Sequence, residues 1–138
     1  MPLAGPDFIS DSGHVKAMIP FRGDFFLRKI LNSRPWAIDV RRYIFILHDD
    51  SCVHDFVESS LKNWFPNSTF IYLSQFTRGA ACSSLAGVSA ISDFKSPLII
   101  DLGDILYSTE LNVNHFFETY SDCGAIAMTF TSNSPLYS

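Results

Sequence analysis

The sequence predicts a three-layer α/β/α domain, a mostly parallel sheet with helices on both faces. Three observations predict it. Short β-rich apolar runs recur along the chain, segments with helical spacing separate them, and no Gly/Ser-rich or Pro-rich linker breaks the series. The runs are apolar at nearly every position instead of alternating, as in strands buried on both faces.

In order, Leu3-Ala4-Gly5 reads as the end of a first strand. Phe25, Leu27, Ile30 and Leu31 recur at helical spacing and place a first helix. Residues 43–48 form the next apolar run. A second helix follows, with Val53, Phe56, Val57, Leu61 and Trp64 on one face, Asp50 or Ser51 as its N-cap and Pro66 after its end. Residues 69–73 read as a strand, and residues 79–92 as an Ala- and Ser-rich helix carrying Leu85 and Val88. Ala86 and Gly87 suit that helix to close packing on a sheet. Residues 97–101 and 124–130 read as two further strands, separated by a helix over residues 111–121.

The chain has 138 residues, 47% of them hydrophobic and 17% charged, with 13 Phe, which fits one domain over residues 1–138 and excludes intrinsic disorder. Ten Lys and Arg stand against 14 Asp and Glu, a net charge of −4. With no basic run to neutralise phosphates, nucleic acid is not an expected partner. Cys52, Cys82 and Cys123 are widely spaced and form no C-x-x-C pair, so they are expected to be reduced thiols in the core of a cytoplasmic protein. The N-terminus lacks a leader pattern, and no apolar run approaches the roughly 18 residues of a membrane span, so no membrane partner is expected. Mean hydropathy is nonetheless +0.15, high for a small domain. Some apolar surface is therefore expected to be covered, in a homo-oligomer or by another subunit that completes the sheet.

In parallel sheets ligands bind beyond the carboxyl ends of the strands. Gly5 lies at one such end, with Lys16 one loop later; glycine admits a close backbone approach and lysine a point charge, an arrangement that suits phosphate. Thr77-Arg78-Gly79-Ala80-Ala81 opens a helix whose N-terminal N–H groups could meet a base or a phosphate. Asp101-Leu102-Gly103-Asp104 leaves the most apolar run, where an aspartate can hold Mg²⁺ on a polyphosphate; Asp104, farther into the loop, is preferred to Asp101. The plainer alternatives are a structural Gly and Lys, close packing of an Ala-rich helix, and a turn in which Asp caps the next element. His48, Asp49, Asp50, Cys52 and His54 lie too tightly on a strand end and a helix start to converge on one tetrahedral zinc. Helix capping accounts for the two aspartates. Arg22-Gly23-Asp24 reads as a turn.

Taken in order, these pieces resemble the nucleotide-binding half of the sugar-phosphate nucleotidylyltransferases, a GT-A-like, Rossmann-like family. That family opens with L/M-A-G, then carries K-P-L-I-P ahead of a helix, T-x-G-A-A ahead of an Ala-rich helix, and an apolar strand ending in G-D. The matching stretches are Leu3-Ala4-Gly5, Lys16-Ala17-Met18-Ile19-Pro20, Thr77-Arg78-Gly79-Ala80-Ala81 and Leu102-Gly103-Asp104, while residues 124–130 are similar to the strand lining the sugar side. The resemblance implies a single nucleotide-binding domain that ends before the sugar-binding portion. It implies that Leu3, Ala4, Gly5, Thr77, Gly79 and Ala80 frame base and ribose, that Lys16 holds the triphosphate, and that Asp104 ligates Mg²⁺; Lys16 and Asp104 are then the catalytic pair. The activity implied is transfer of a nucleotidyl group from a nucleoside triphosphate to a sugar 1-phosphate, for polysaccharide precursors. The loop at residues 6–10 lacks that family's second glycine and its arginine, and Asp24 stands where the family has lysine. A non-catalytic nucleotide-binding or regulatory module of the same descent is the alternative.

Overall fold

The computed structural model describes residues 16–37, 40, 42–103, 112–127 and 129. A 3-10 turn, Lys16–Met18, leads into a small antiparallel hairpin of β1 (Pro20–Phe21) and β2 (Asp24–Phe25). Arg22 and Gly23 join them with positive φ, 50° and 82°, as a two-residue hairpin turn of the I′ kind requires. This is the turn the sequence predicts there. Helix α1 (Phe26–Asn32) follows at once and buries Leu27, Ile30 and Leu31, three of the four positions the spacing selects, while the fourth, Phe25, ends β2 ahead of the helix.

The centre of the fold is a parallel pair, β3 (Tyr43–His48) and β4 (Ser68–Leu73), in register from Tyr43 opposite Ser68 to His48 opposite Leu73. A strand sends successive side chains to opposite faces, so the pair divides its residues between two sets of partners. Tyr43, Phe45 and Leu47, with Phe70 and Tyr72 of β4, join a cluster containing Val53, Phe56, Val57 and Leu61. Ile44 and Ile46 lie toward Gly87 on the opposite side.

The connection between β3 and β4 is helical without a break from Ser51 to Trp64: α2 (Ser51–Phe56), a π-helical turn (Val57–Leu61) and α3 (Lys62–Trp64). Asp50 caps it, its carboxylate accepting a hydrogen bond from the Cys52 N–H at 2.8 Å. The wider π turn accompanies burial of Phe56, Val57 and Leu61 within one stretch of helix. Helix α4 (Ala80–Ser89) buries Ser83 and Gly87, and a Cβ built on Gly87 would lie 2.9 Å from Ile46 Cδ1. That is the close helix-to-strand approach the Ala86-Gly87 pair predicts. Helix α5 (Val113–Thr119) is capped by Asn112, whose side chain accepts from the His115 N–H, and it buries no residue fully.

The fold is therefore mixed α/β with small sheets, one of them a parallel pair. Among the described residues two expected strands do not form, 97–101 and the described part of 124–130. Residues 97–101 make no strand pairing, and Leu98, Ile99 and Ile100 are exposed; residues 124–127 are likewise unpaired and exposed. Apolar composition suits a strand but does not supply the neighbouring edge that its N–H and C=O groups need. The expected first strand at Leu3-Ala4-Gly5 lies outside the described residues.

The cysteines also depart from expectation. All three are free, as expected, but exposed instead of buried in the core. Cys52 sits in the first turn of α2, ahead of the buried Val53, and Cys82 lies a helical step off the stripe defined by Ser83 and Gly87. Among the described residues no helix is long and apolar enough to cross a membrane.

Candidate functional site

Two loops leave the carboxyl end of the parallel pair. The first, after β3, continues the ladder for one residue, the Asp49 N–H donating to the Leu73 carbonyl at 3.0 Å. Asp49 Oδ1 then meets His54 Nε2 at 2.8 Å, and the His54 ring stacks on Tyr72 with centroids 4.0 Å apart. Burial, with the negative charge of Glu58 next in size, pushes the Tyr72 phenol above its ordinary value. His54 and Asp49 are both about half exposed, so their pairing contributes little to stability. Among the described residues no group of three or more His, Cys, Asp or Glu side chains could hold a metal ion.

The second loop, residues 74–79, joins β4 to α4. Its Phe76 stacks on His48, centroids 4.6 Å apart and rings 17° from parallel, with more than half of its surface exposed. Beneath lies a crevice of about 10 Å³ between Ile46, Leu73, Gln75, Thr77 and Ser83, room for little more than a water. A ligand here would lie on the loop, not in a preformed cavity.

The loop's local bonding is specific. The Thr77 hydroxyl donates to the Gly79 carbonyl at 3.0 Å and shares a 2.6 Å hydrogen bond with the Ser83 hydroxyl. Gly79 takes φ 110°, a left-handed conformation that side chains rarely adopt, and so turns the chain into α4. No side chain caps α4. Its first N–H groups consequently face outward without a side-chain acceptor.

Asp101 has a different environment. Its Oδ2 accepts from Arg34 Nε at 2.6 Å and its Oδ1 from Arg34 Nη2 at 3.2 Å, while the same Nη2 reaches the Leu102 carbonyl at 3.1 Å. Arg34 is essentially buried, its side chain 1% exposed. Both carboxylate oxygens are thus engaged, and Asp101 does not fit as a cation ligand. Its charge, after the larger effect of burial, raises the Tyr43 phenol above its ordinary value. Asp101 is therefore within electrostatic reach of the amino end of β3, whereas Thr77 lies beyond the carboxyl end of β4.

Of the predicted site residues, Thr77, Gly79 and Ala80 come together in the β4–α4 loop and the first turn of α4. Lys16 begins the 3-10 turn ahead of β1. Leu3, Ala4, Gly5 and Asp104 lie outside the described residues. Sequence reasoning missed two features, the His48–Phe76 stack and the Arg34–Asp101 pair. A lone arginine just after an apolar helix and a lone aspartate ending an apolar run were the available signals for the second. Compared with protein-family models, with curated proteins and with solved structures, the chain gives no match.

Proposed function

We propose that this chain is a nucleotide-binding domain of the nucleotidylyltransferase type, with the doubly wound GT-A-like arrangement the sequence suggests. It would transfer a nucleotidyl group from a nucleoside triphosphate to a sugar 1-phosphate and so supply activated sugars for polysaccharide. The observation that carries this reading is the β4–α4 loop. It stands at the carboxyl end of a parallel pair, turns through Gly79, is held by the Thr77 hydroxyl, and presents an uncapped ten-residue helix start.

In the proposed reaction a phosphate oxygen of the sugar 1-phosphate attacks the α-phosphorus, the bond from that phosphorus to the bridging oxygen breaks, and pyrophosphate leaves. Little covalent chemistry is asked of the protein. The loop would frame base and ribose, and the Lys16 ammonium would offset triphosphate charge. Bound Mg²⁺ would supply further charge neutralisation, with Asp104 its proposed ligand.

One observation favours the second reading, a module that binds nucleotide without turnover. Asp24, standing where that family has lysine, accepts a hydrogen bond from the Phe25 N–H at 2.8 Å and lies 3.7 Å from Arg28. It serves the hairpin and the start of α1 instead of supplying a cation.

A thermal-shift screen of the four nucleoside triphosphates, with and without Mg²⁺, tests binding, because a ligand of the folded state alone raises its apparent stability. Lys16→Ala should weaken triphosphate far more than nucleoside. Equal losses would count against a phosphate contact. Pyrophosphate release with a sugar 1-phosphate separates enzyme from module.

A further inference from the structure

A cleft of about 240 Å³ opens at the amino end of the parallel pair, the end away from the β4–α4 loop. Its walls are aromatic, from Tyr43, Trp64 and Phe65, and its rim carries the exposed carboxamides of Asn32 and Asn67. No charged side chain is among the described residues that line it. The walls are held in place by other contacts. Phe65 is buried and packs on Tyr43, ring centroids 4.8 Å apart, while Trp64 stacks on Phe25 at 5.1 Å and meets Phe56 edge-on. One polar group beside the cleft is unsatisfied. Ser68 follows Asn67 and stands opposite Tyr43 in the ladder, so the two side chains leave the same face of the pair. Its hydroxyl is buried and finds no hydrogen-bond partner among the described residues. A hydroxyl taken out of water without a partner costs stability, so such a group calls for a physical reason.

We propose that this cleft is a binding site for a small uncharged aromatic amide, with the Ser68 hydroxyl as its buried polar partner. The volume sets the size. A cavity of about 150 Å³ accommodates benzene, and drug-sized ligands need about 300 Å³ or more, so 240 Å³ suits one ring with a short polar substituent. The walls set the ring, because fixed aromatic side chains pack best on another aromatic face or edge and lose little freedom in doing so. The lining sets the charge. With no cation or anion among the described lining residues, a charged ligand would lose its water without gaining a counter-charge. A carboxamide offers both a donor and an acceptor, which the Asn32 and Asn67 side chains complement and the Ser68 hydroxyl can meet in either role. The site is separate from the nucleotide reading and does not depend on it.

Titrating the ¹⁵N-labelled full-length chain with benzamide, and with benzoate and benzylamine as its anionic and cationic analogues, tests the site. Benzamide should give saturable amide shifts centred on residues 32, 43, 64, 65 and 67, and should bind at least about tenfold more tightly than either analogue. No saturable shift with benzamide, equal binding of all three, or shifts centred on residues 75–81 overturns the proposal. Ser68→Ala should weaken benzamide by about threefold to tenfold, the loss of one hydrogen bond. It should not lower the urea midpoint of the free chain, because the hydroxyl has no partner among the described residues. Asn67→Ala, at an exposed position that leaves the core unchanged, should weaken benzamide by a similar factor. Wild-type affinity in Ser68→Ala overturns the role given to the hydroxyl, and a lowered urea midpoint would make Ser68 a structural residue instead.

Discussion

Residues 44–47 and residues 98–100 are both uninterrupted apolar runs, yet the first is a strand in the core and the second is exposed chain. Ile44, Phe45, Ile46 and Leu47 find β4 alongside, the α2 cluster on one face and α4 on the other. Ile100 is 62% exposed and finds no edge to pair with among the described residues. The difference teaches that an apolar run becomes a strand through what lies beside it. Among the described residues, the end of the second region is tied by the Arg34–Asp101 ion pair and by no strand ladder.

The largest expected effect sharpens this contrast within a single residue type. Phe56 is 2% exposed and central to the cluster, so Phe56→Ala should cost about 3–5 kcal/mol in urea denaturation. Phe94, 74% exposed, should change stability by less than about 0.5 kcal/mol on the same truncation. Comparable losses at both positions would show that residues 92–100 pack far more closely than their exposure indicates.

A smaller effect tests the face shared by β3 and α4. Gly87→Ala sets a methyl 2.9 Å from Ile46 Cδ1, the end of a side chain that can turn aside, while alanine gains about 0.5–1 kcal/mol over glycine inside a helix, so the net change should stay within about 1 kcal/mol. Adding Ile46→Val removes that Cδ1, so the double variant should be more stable than the sum of the two single changes predicts, a coupling that urea midpoints can read. Purely additive changes would place the helix farther from the strand.

The smallest effect appears at alkaline pH. Burial and the nearby Asp101 charge raise the Tyr43 phenol above its ordinary value of 10.0. As pH climbs past that value the unfolded chain gives up this proton first and holds fewer protons than the native state. Stability should therefore fall from about pH 10 upward, through the raised native value. Tyr43→Phe should flatten the decline, and Asp101→Asn should reduce it. An unchanged slope in Tyr43→Phe would assign the decline to other groups.

What was legible in the sequence follows from how local each signal is. Leu27, Ile30 and Leu31 of α1, the cap at Asp50, one of two candidates, the turn at Arg22-Gly23 and the close approach at Gly87 rest on spacing or on one residue's chemistry and stand in the structure, while Phe25, grouped with α1 by the same spacing, ends β2. The expected strands at residues 97–101 and 124–130 do not form among the described residues, because pairing is a property of two segments. The exposed cysteines were misread because thiol chemistry prefers burial in general, whereas helix phase decides it at Cys52 and Cys82. Thr77 and Gly79 were selected by a motif, and the structure places both in the loop before α4. The hydrogen bond to Ser83 and the stack of Phe76 on His48 depend on how the chain folds back, which no spacing records. Nor could Arg34 be matched to Asp101 from sequence, because a charge pair 67 residues apart leaves no periodic trace.

Nucleoside triphosphate is proposed to bind at the loop after β4. A ¹⁵N-resolved NMR titration of the full chain with each Mg²⁺-bound nucleoside triphosphate tests it most directly. The account predicts saturable shifts for at least one of them, centred on the amides of residues 75–81, with those at residues 64–68 near the amino end of β4 unmoved. Shifts centred on residues 64–68, or none with any of the four, would contradict it.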